Sequence, residues 1–291
     1  VIGSDMRFEL SCDTRKIYRW ISPSKLILSL LAFLATTAST ASGAQPTAIE
    51  PHPTVLRILC YNIHHGRGMD NRVDLERVAE VIRRAQPDLV ALQEVDNRTK
   101  RTGGIDQTNE LARLTGMQGK FAKQIDFEGG EYGQAFLSKF SLSDVQIHWL
   151  PGMPAREQRI TGVVEVSVAG KSLSFATTHL HHANGDFRLQ QARELSRLFT
   201  NSEHPVVLAG DFNAEPASAP LTHLAETWRV AQPEGELRTF PADQPSKQID
   251  YVLFAPENAF EIVSAEVLDE PIASDHRPLL VVLRWRAVNG E

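Results

Sequence analysis

The stretch that most constrains the fold runs from His204 to Pro216 and reads HPVVLAGDFNAEP. Its apolar residues 206–209, entered through a proline, predict a short buried strand. Gly210 lets the backbone turn, and Asp211 and Asn213 follow at the carboxyl end of the strand. Residues two apart in extended backbone point the same way, so we expect both side chains to face one site. An ordinary Asx turn closing a strand is the alternative.

Short polar residues recur at the ends of other apolar segments, and this recurrence favours a site over an isolated turn. They are Asn62, Glu94, Thr178 with His179, Asp250, and Ser274 with Asp275 and His276. Carboxylate and amide oxygens are hard ligands that suit Mg²⁺ or Mn²⁺ better than zinc. A carboxylate such as that of Asp250 could orient the imidazole of His276. A metal, a base for water and donors for developing charge together suit phosphoester hydrolysis.

The order of the predicted elements indicates a mixed α/β domain over residues 55–291. Apolar spacing predicts helices at 74–86, 108–115, 186–200 and 221–227, the first of them capped by Asp74. Strands are predicted at 55–61, 88–92, 120–125, 133–138, 145–150, 159–168, 173–180, 205–208, 249–254, 260–268 and 279–285. Hairpins are too frequent for a doubly wound parallel sheet. Two facing sheets covered by helices fit the pattern better.

The first 44 residues have the pattern of a secretory signal. Basic residues precede an apolar run at 26–35, small residues follow, and Ser42-Gly43-Ala44 is a plausible cleavage site. The run is shorter than the about 20 residues that cross a bilayer, although an uncleaved N-terminal anchor remains an alternative. Residues 45–54 contain three prolines and predict an extended linker. We therefore expect a secreted or periplasmic protein.

Composition limits the class of protein. Hydrophobic residues make up 42% of the 291 residues and charged residues 23%, as in a soluble globular domain. Two cysteines exclude a disulfide framework and a cysteine-rich zinc site. A net charge of -6 argues against a protein that coats nucleic acid, but it does not exclude a nuclease.

Six motifs occur in a fixed order along the chain. They are YNIHHG at 61–66, LQEVD at 92–96, THL at 178–180, GDFNAEP at 210–216, IDYV at 249–252 and SDHRP at 274–278. In this order they resemble the endonuclease/exonuclease/phosphatase superfamily, which includes pancreatic-type deoxyribonuclease, sphingomyelinases and inositol-polyphosphate phosphatases. The resemblance spans about residues 55 to 285. It implies a four-layered α/β/β/α sandwich with two packed mixed sheets, and a metal-dependent phosphoesterase. The signal-like segment adds the expectation that this enzyme is secreted.

The resemblance also implies a role for each matching residue. Asn62 and Glu94 would hold Mg²⁺ or Mn²⁺, with Asp275 near the metal. His179 would contact or protonate the scissile phosphate. Asp211 would position or deprotonate the attacking water, while Asn213 steadies the phosphoryl oxygens. Asp250 would orient His276, which stabilises charge at the phosphate.

Several residues near these motifs have two interpretations. Arg159 opens a strand beside the site and either binds phosphate or forms a structural salt bridge. His181 and His182 follow His179, so a zinc-type cluster is a rival interpretation. His64 and His65 either touch substrate or lie in an exposed loop, and the exposed loop is the expectation.

The substrate stays open at the level of sequence. Nucleic acid, phospholipid and sugar phosphate all contain the required bond, and Gln134 stands where relatives often carry Asn. A deoxyribonuclease acting on nucleic acid is one alternative function. A noncatalytic binding module on the same scaffold is another. No obligate protein partner is evident, and we expect a monomer.

Overall fold

The structure, a computed structural model, describes residues 54–152, 158–233 and 235–286. The predicted signal segment 1–44 and all of the predicted linker except Thr54 lie outside the described residues. Within the described ranges, none of the helices is both long and apolar enough to cross a membrane.

The described residues form twelve strands and four α-helices. The strands are β1 (Val55–Asn62), β2 (Leu89–Asn97), β3 (Gln118–Phe127), β4 (Gly130–Ser138), β5 (Gln146–Trp149), β6 (Ile160–Val168), β7 (Lys171–His179), β8 (Val206–Asp211), β9 (Arg229–Val230), β10 (Asp250–Ala255), β11 (Phe260–Val267) and β12 (Leu279–Trp285). The helices are α1 (Leu75–Ala85), α2 (Gln107–Thr115), α3 (Gly185–Phe199) and α4 (Ala219–Leu224). Short 3₁₀ helices cover His64–Gly66, Lys100–Thr102 and Glu257–Ala259.

The strands form two six-stranded mixed sheets. One has the order β11-β12-β1-β2-β4-β3 and the other the order β5-β6-β7-β8-β10-β9. Each contains one parallel pair, β1 with β2 and β7 with β8, and its remaining pairs are antiparallel. The predicted two-sheet architecture is therefore confirmed.

Side-chain alternation along the central strands separates the core into layers. Ile58 in β1 belongs to a buried cluster shared by both sheets, whereas the next residue, Leu59, packs with the apolar faces of α1 and α2. Between the sheets, the rings of Phe136 and Phe175 meet edge to face with centroids 5.6 Å apart. Such pairs add about 0.5–1.5 kcal/mol beyond the area that they bury. A third cluster joins α3 and α4 to the outer face of the second sheet, which completes the predicted four layers.

Helix α1 shows how closely local sequence signals determine an element here. The Asp74 side chain accepts a hydrogen bond from the backbone N–H of Arg77, as an N-cap does. The buried face of the helix carries the apolar residues whose spacing predicted it, among them Val78 and Ile82. The helix ends at Gln86, which adopts a left-handed conformation (φ 50°) before Pro87.

The two parallel pairs direct their carboxyl ends toward one edge of the sandwich. His179, the last residue of β7, is in register with Asp211, the last residue of β8. Asp211 is in turn in register with Asp250, the first residue of the antiparallel β10. The topology thus brings together residues that are up to 71 positions apart in these three strands.

Gly210 serves a different purpose from the predicted one. It lies inside β8, and a Cβ atom there would stand 2.1 Å from the backbone oxygen of Thr178. Glycine is therefore needed for the close approach of β7 to β8 rather than for a turn. The chain turns at Asn213 instead, which has a left-handed backbone (φ 47°).

Candidate active site

The centre of the candidate site is the carboxylate of Asp211, which is 2% exposed. Its Oδ2 accepts a hydrogen bond from Asn62 Nδ2 at 3.2 Å and lies 3.5 Å from His179 Nε2 and 3.7 Å from His276 Nε2. Its Oδ1 accepts a hydrogen bond from the Asn213 backbone N–H at 2.8 Å. Residues from both sheets and from the loop before β12 therefore converge on one carboxylate.

Asp250 holds the His276 ring from the opposite side. Asp250 Oδ2 lies 2.8 Å from His276 Nδ1, and the Thr239 hydroxyl donates a hydrogen bond to the same oxygen. All three side chains are buried. The contact that the family resemblance implied for Asp250 and His276 is present, and it leaves His276 Nε2 facing Asp211.

Burial and charge set the protonation of this group. Burial alone lowers the pKa of His276, but Asp250, Asp211 and Asp275 together raise this pKa to about 10. Burial, followed by the charges of Arg159 and His276, holds the pKa of His179 well below its usual range. Burial and the neighbouring Asp250 raise the pKa of Asp211 to about 7. At neutral pH the site therefore contains a charged His276 and a neutral His179.

Glu94 lies next to this centre at an irregularity in β2. The register with β4 shifts between Leu92 and Val95, and Glu94 has a left-handed backbone (φ 57°). A non-glycine residue in this conformation costs on the order of 1 kcal/mol or more and is often found at functional sites. Asn62 Nδ2 donates to Glu94 Oε1 at 3.2 Å as well as to Asp211, so the amide bridges the two carboxylates.

Asn62 keeps part of its capacity as an oxygen ligand. Its Oδ1 accepts a hydrogen bond from the His64 backbone N–H at 3.0 Å, and a carbonyl oxygen has a second lone pair. Asp275 is partly exposed, and its Oδ1 lies 3.7 Å from His64 Nδ1. The metal-binding roles of Asn62, Glu94 and Asp275 remain predictions.

His64 and His65 differ from the exposed loop histidines that the sequence suggested. His65 is 7% exposed, His64 is half-buried, and both have left-handed backbone with φ 46°. Their rings meet edge to face with centroids 4.6 Å apart. Burial, with smaller effects from Arg101 and His64, lowers the pKa of His65 to about 4, so its ring is neutral at physiological pH.

Two groups of side chains in the described part of the chain bring potential metal ligands together. They are His64, His65 and Glu94, and Asp211, Asp250 and His276. The second group contains a ring that is cationic at neutral pH and bound to Asp250. The first group, in which buried ring nitrogens face a carboxylate, therefore fits a divalent cation better.

The remaining predicted residues lie around the centre. Asn213 donates through Nδ2 to the Leu180 backbone oxygen at 3.1 Å, which fixes its amide beside Asp211. Arg159 is 3% exposed, and its Nη2 lies 3.4 Å from His182 Nδ1. Gln134 is buried and donates to the Ile160 backbone oxygen at 3.3 Å.

The rings of His181 and His182 stack with centroids 5.3 Å apart. His181 Nδ1 accepts hydrogen bonds from the backbone N–H groups of Ala183 and Asn184. This nitrogen therefore supports the turn into α3. His179, His181 and His182 do not form one of the potential ligand groups found among the described residues.

A recess of about 370 Å³ opens beside His276 and Asn213. Its other lining residues are His182, Arg188, Ala214, Glu215, Ser218, Phe240, Lys247 and Ile249. The Phe240 ring packs on the His276 imidazole with centroids 4.9 Å apart. The site thus adjoins a recess that combines two cationic side chains with an aromatic surface.

A family model described as "Endonuclease/Exonuclease/phosphatase family" matches residues 59–276, about three quarters of the chain. The chain belongs to this family. Its members are metal-dependent hydrolases of phosphoester bonds, so the family and the enzyme class predicted from the sequence are both confirmed.

Among curated family members, Nocturnin of Rattus norvegicus is 26% identical over an alignment of 224 residues, with coverage of 64% of this chain and 51% of that protein. The chain thus spans about half the length of the curated relatives that it matches. Solved structures with the same fold include a family member from Bacteroides vulgatus (TM-score 0.67, 23% identity, covering 80% of this chain and all of that one). Another is the mannosyl-6-phosphatase Bt3783 of Bacteroides thetaiotaomicron (TM-score 0.65, 18% identity, covering 79% of this chain and all of that one).

Sequence reasoning missed several residues that lie around the site. Thr239 and Phe240 reach Asp250 and His276 from an irregular segment that has no periodic pattern. Arg188 lines the recess from α3, where its position on the helix carries no distinguishing signal. His64 and His65 did have a signal, because they directly follow the predicted metal ligand Asn62.

Proposed function

We propose that the chain hydrolyses a phosphodiester or phosphomonoester by attack of water, with Mg²⁺ or Mn²⁺ as cofactor. The observation that carries the proposal is the buried Asp211 carboxylate, held within 3.7 Å of Asn62, His179 and His276. A carboxylate surrounded by one amide and two imidazoles can position water and accept its proton.

The protonation of the three titrating groups suits this reaction near neutral pH. The pKa of Asp211, raised to about 7 by burial and Asp250, lets it accept a proton there. The charged His276 presents Nε2–H beside Asp211, where it can stabilise the negative charge that develops on the phosphoryl oxygens. The neutral His179 can donate a hydrogen bond from one ring nitrogen without adding a second charge.

The divalent cation belongs beside Glu94. Glu94, with Asn62 and the neighbouring histidines, would hold it where β1 ends, beside the irregularity in β2. When bound, it would supply positive charge that stabilises the phosphoryl oxygens. Asn62 links this position to the water-activating Asp211, because its amide donates to both carboxylates.

The recess beside His276 favours a small phosphorylated molecule over a polymer. Its volume of about 370 Å³ is near the lower end of the range for small-molecule sites. Arg188 and Lys247 supply cations, and Phe240 offers an apolar face for a sugar ring or a base. The similarity in fold to a mannosyl-6-phosphatase is consistent with a sugar phosphate. Aromatic and basic side chains also bind nucleic acid, so nuclease activity is the second candidate.

The test is a panel of phosphoesters offered to the full chain with and without a chelator. Sugar phosphates, nucleotides, phospholipids, RNA and DNA represent the candidate classes. We expect hydrolysis that chelation abolishes and Mg²⁺ or Mn²⁺ restores, with a sugar phosphate or nucleotide preferred. Glu94→Gln should lower kcat/KM at least about 100-fold. The matched change Glu203→Gln, at an exposed loop position, should leave it unchanged. Absence of hydrolysis across the whole panel, with either metal, would refute the proposal.

We further propose that residues 1–44 direct export and are removed near Gln45. The support is the basic, apolar and small-residue order of this segment. N-terminal sequencing of protein recovered from the periplasm or medium should give a start close to Gln45. An exported protein that retains the basic residues between Arg15 and Lys25 would contradict cleavage.

A further inference from the structure

The His64-His65 pair lies against the carboxylate of Glu94. One nitrogen of each ring and one carboxylate oxygen of Glu94 lie within 4.8 Å of one another. Two ligands on opposite sides of one ion with bonds of about 2.1 Å are separated by about 4.2 Å. The 4.8 Å limit is somewhat wider than this maximum, so small side-chain movements would bring the three groups onto one ion.

The Nδ1 atoms of both rings are buried and, among the residues that the structure describes, have no hydrogen-bond partner. His65 is more than nine-tenths buried, so bulk water does not compensate. Buried polar atoms in folded proteins nearly always have a partner. For a ring nitrogen beside a carboxylate, a bound cation is a partner that satisfies both groups.

The chemistry of these donors selects among cations. Magnesium prefers oxygen ligands throughout, whereas imidazole nitrogen suits manganese only moderately and cobalt, iron or zinc well. Two histidines and one carboxylate form a ligand set typical of transition-metal sites with open positions. Asp275 Oδ1 lies 3.7 Å from His64 Nδ1, beyond hydrogen-bond distance, and adds a second carboxylate oxygen beside the ring.

We propose that His64, His65 and Glu94 together bind the divalent ion of this enzyme, and that the two imidazoles make the site selective for a transition metal over Mg²⁺. The inference rests on the proposed function only in naming this ion as the cofactor. Binding itself can be measured without substrate.

The experiment is calorimetric titration of the chelator-treated, untagged full chain with Co²⁺, Mn²⁺ and Mg²⁺, together with the visible absorption spectrum of the Co²⁺ complex. We expect the affinity order Co²⁺ > Mn²⁺ > Mg²⁺, with Co²⁺ at least about tenfold tighter than Mg²⁺. His64→Asn and His65→Asn should each weaken Co²⁺ binding at least about tenfold and alter its spectrum, while changing Mg²⁺ affinity less than about threefold. Asparagine is chosen because it tolerates the left-handed backbone of both positions.

His204→Ala, far from this cluster in sequence and at the entry to β8, controls for nonspecific binding by imidazole and should leave Co²⁺ affinity unchanged. Equal affinities for Co²⁺ and Mg²⁺, or folded Asn variants that bind Co²⁺ like the unmodified chain, would overturn the inference. So would variants that lose binding of inorganic phosphate but keep Co²⁺ affinity, since the rings would then be phosphate contacts. If any of these results were accompanied by Mg²⁺-supported hydrolysis, the metal-selectivity inference would fail and the proposed phosphoesterase function would stand. If the chain bound Co²⁺ selectively but hydrolysed no phosphoester, the proposed function would fail and the inference would stand.

Discussion

Replacing Asp211 with asparagine is expected to lower kcat about 10³- to 10⁴-fold while the protein remains folded. The substitution keeps the shape of the side chain but removes the group that can accept a proton from water. Asp211 Oδ2 is the atom shared by Asn62, His179 and His276. The neighbouring groups are poorer bases, because His276 is already protonated at neutral pH, the pKa of His179 lies well below its usual range, and Asp250 Oδ2 is bound to His276 and Thr239.

Steady-state kinetics on the best substrate of the panel measure this effect, and thermal melting followed by circular dichroism checks the fold. Asp144→Asn is the matched control, because Asp144 is fully exposed and pairs only with Lys120 at the surface. Exposed pairs of this kind contribute little, so the control should retain its activity and melting temperature. A folded Asp211→Asn variant with kcat within tenfold of the unmodified chain would show that another group activates the water.

The sequence predicted the site best where a site residue lies at the end of a regular strand. The carboxyl end of β8 places Asp211, and β7 ends at His179, because strand boundaries and alternation are local properties of the chain. That these ends meet depends on strand order, which no single segment contains. The fixed order of the six motifs, through the family resemblance, predicted that these strand ends meet, which periodicity could not do.

The sequence was least informative about irregular backbone. Glu94 projects from a bulge with positive φ, and His64 and His65 have left-handed conformations that their residue types do not predict. Such strained positions persist because the surrounding packing determines them, so they become visible only in the folded chain. The misassignment of His65 as an exposed loop residue has this origin.

Gly210 illustrates a related difficulty. Glycine next to aspartate at a strand end predicts a turn from local chemistry, and the structure uses it for the approach of a neighbouring strand. A residue's local preference and its tertiary role are separate constraints. The glycine satisfies the tertiary constraint, whereas the turn falls on Asn213 three positions later.

Asp250→Asn provides the most informative test of how the site sets its own charge. Burial lowers the pKa of His276, and the interaction with Asp250 is the largest effect that raises it to about 10. Removing that charge should lower the pKa of the ring, so that a larger fraction of His276 is neutral at pH 8. Asp211 should also ionise at lower pH, because Asp250 is the main neighbouring charge that raises its pKa. Both changes shift the pH range in which His276 is charged and Asp211 is ionised to lower values.

We therefore expect kcat of Asp250→Asn to fall about 10²- to 10³-fold at pH 8 and markedly less at pH 6. Profiles of kcat against pH from 5 to 10 should show both limbs displaced to lower pH, and NMR titration of the His276 ring should show the same shift. The raised pKa of His276 also makes the stability of the folded chain depend on pH. A raised histidine pKa stabilises the folded chain fully below about 6.5, the unfolded value, and this contribution disappears as pH rises through about 10.

Asp243→Asn is the control for Asp250→Asn, because Asp243 is exposed and contacts only the neighbouring Gln244 in the hydrogen bonds found there. Asp250→Glu, which keeps the charge, should retain the alkaline activity limb even if kcat falls. These two variants separate the charge of Asp250 from its packing. A uniform loss of kcat at every pH, with the His276 titration unchanged, would mean that Asp250 only supports the loop and does not keep the imidazole charged.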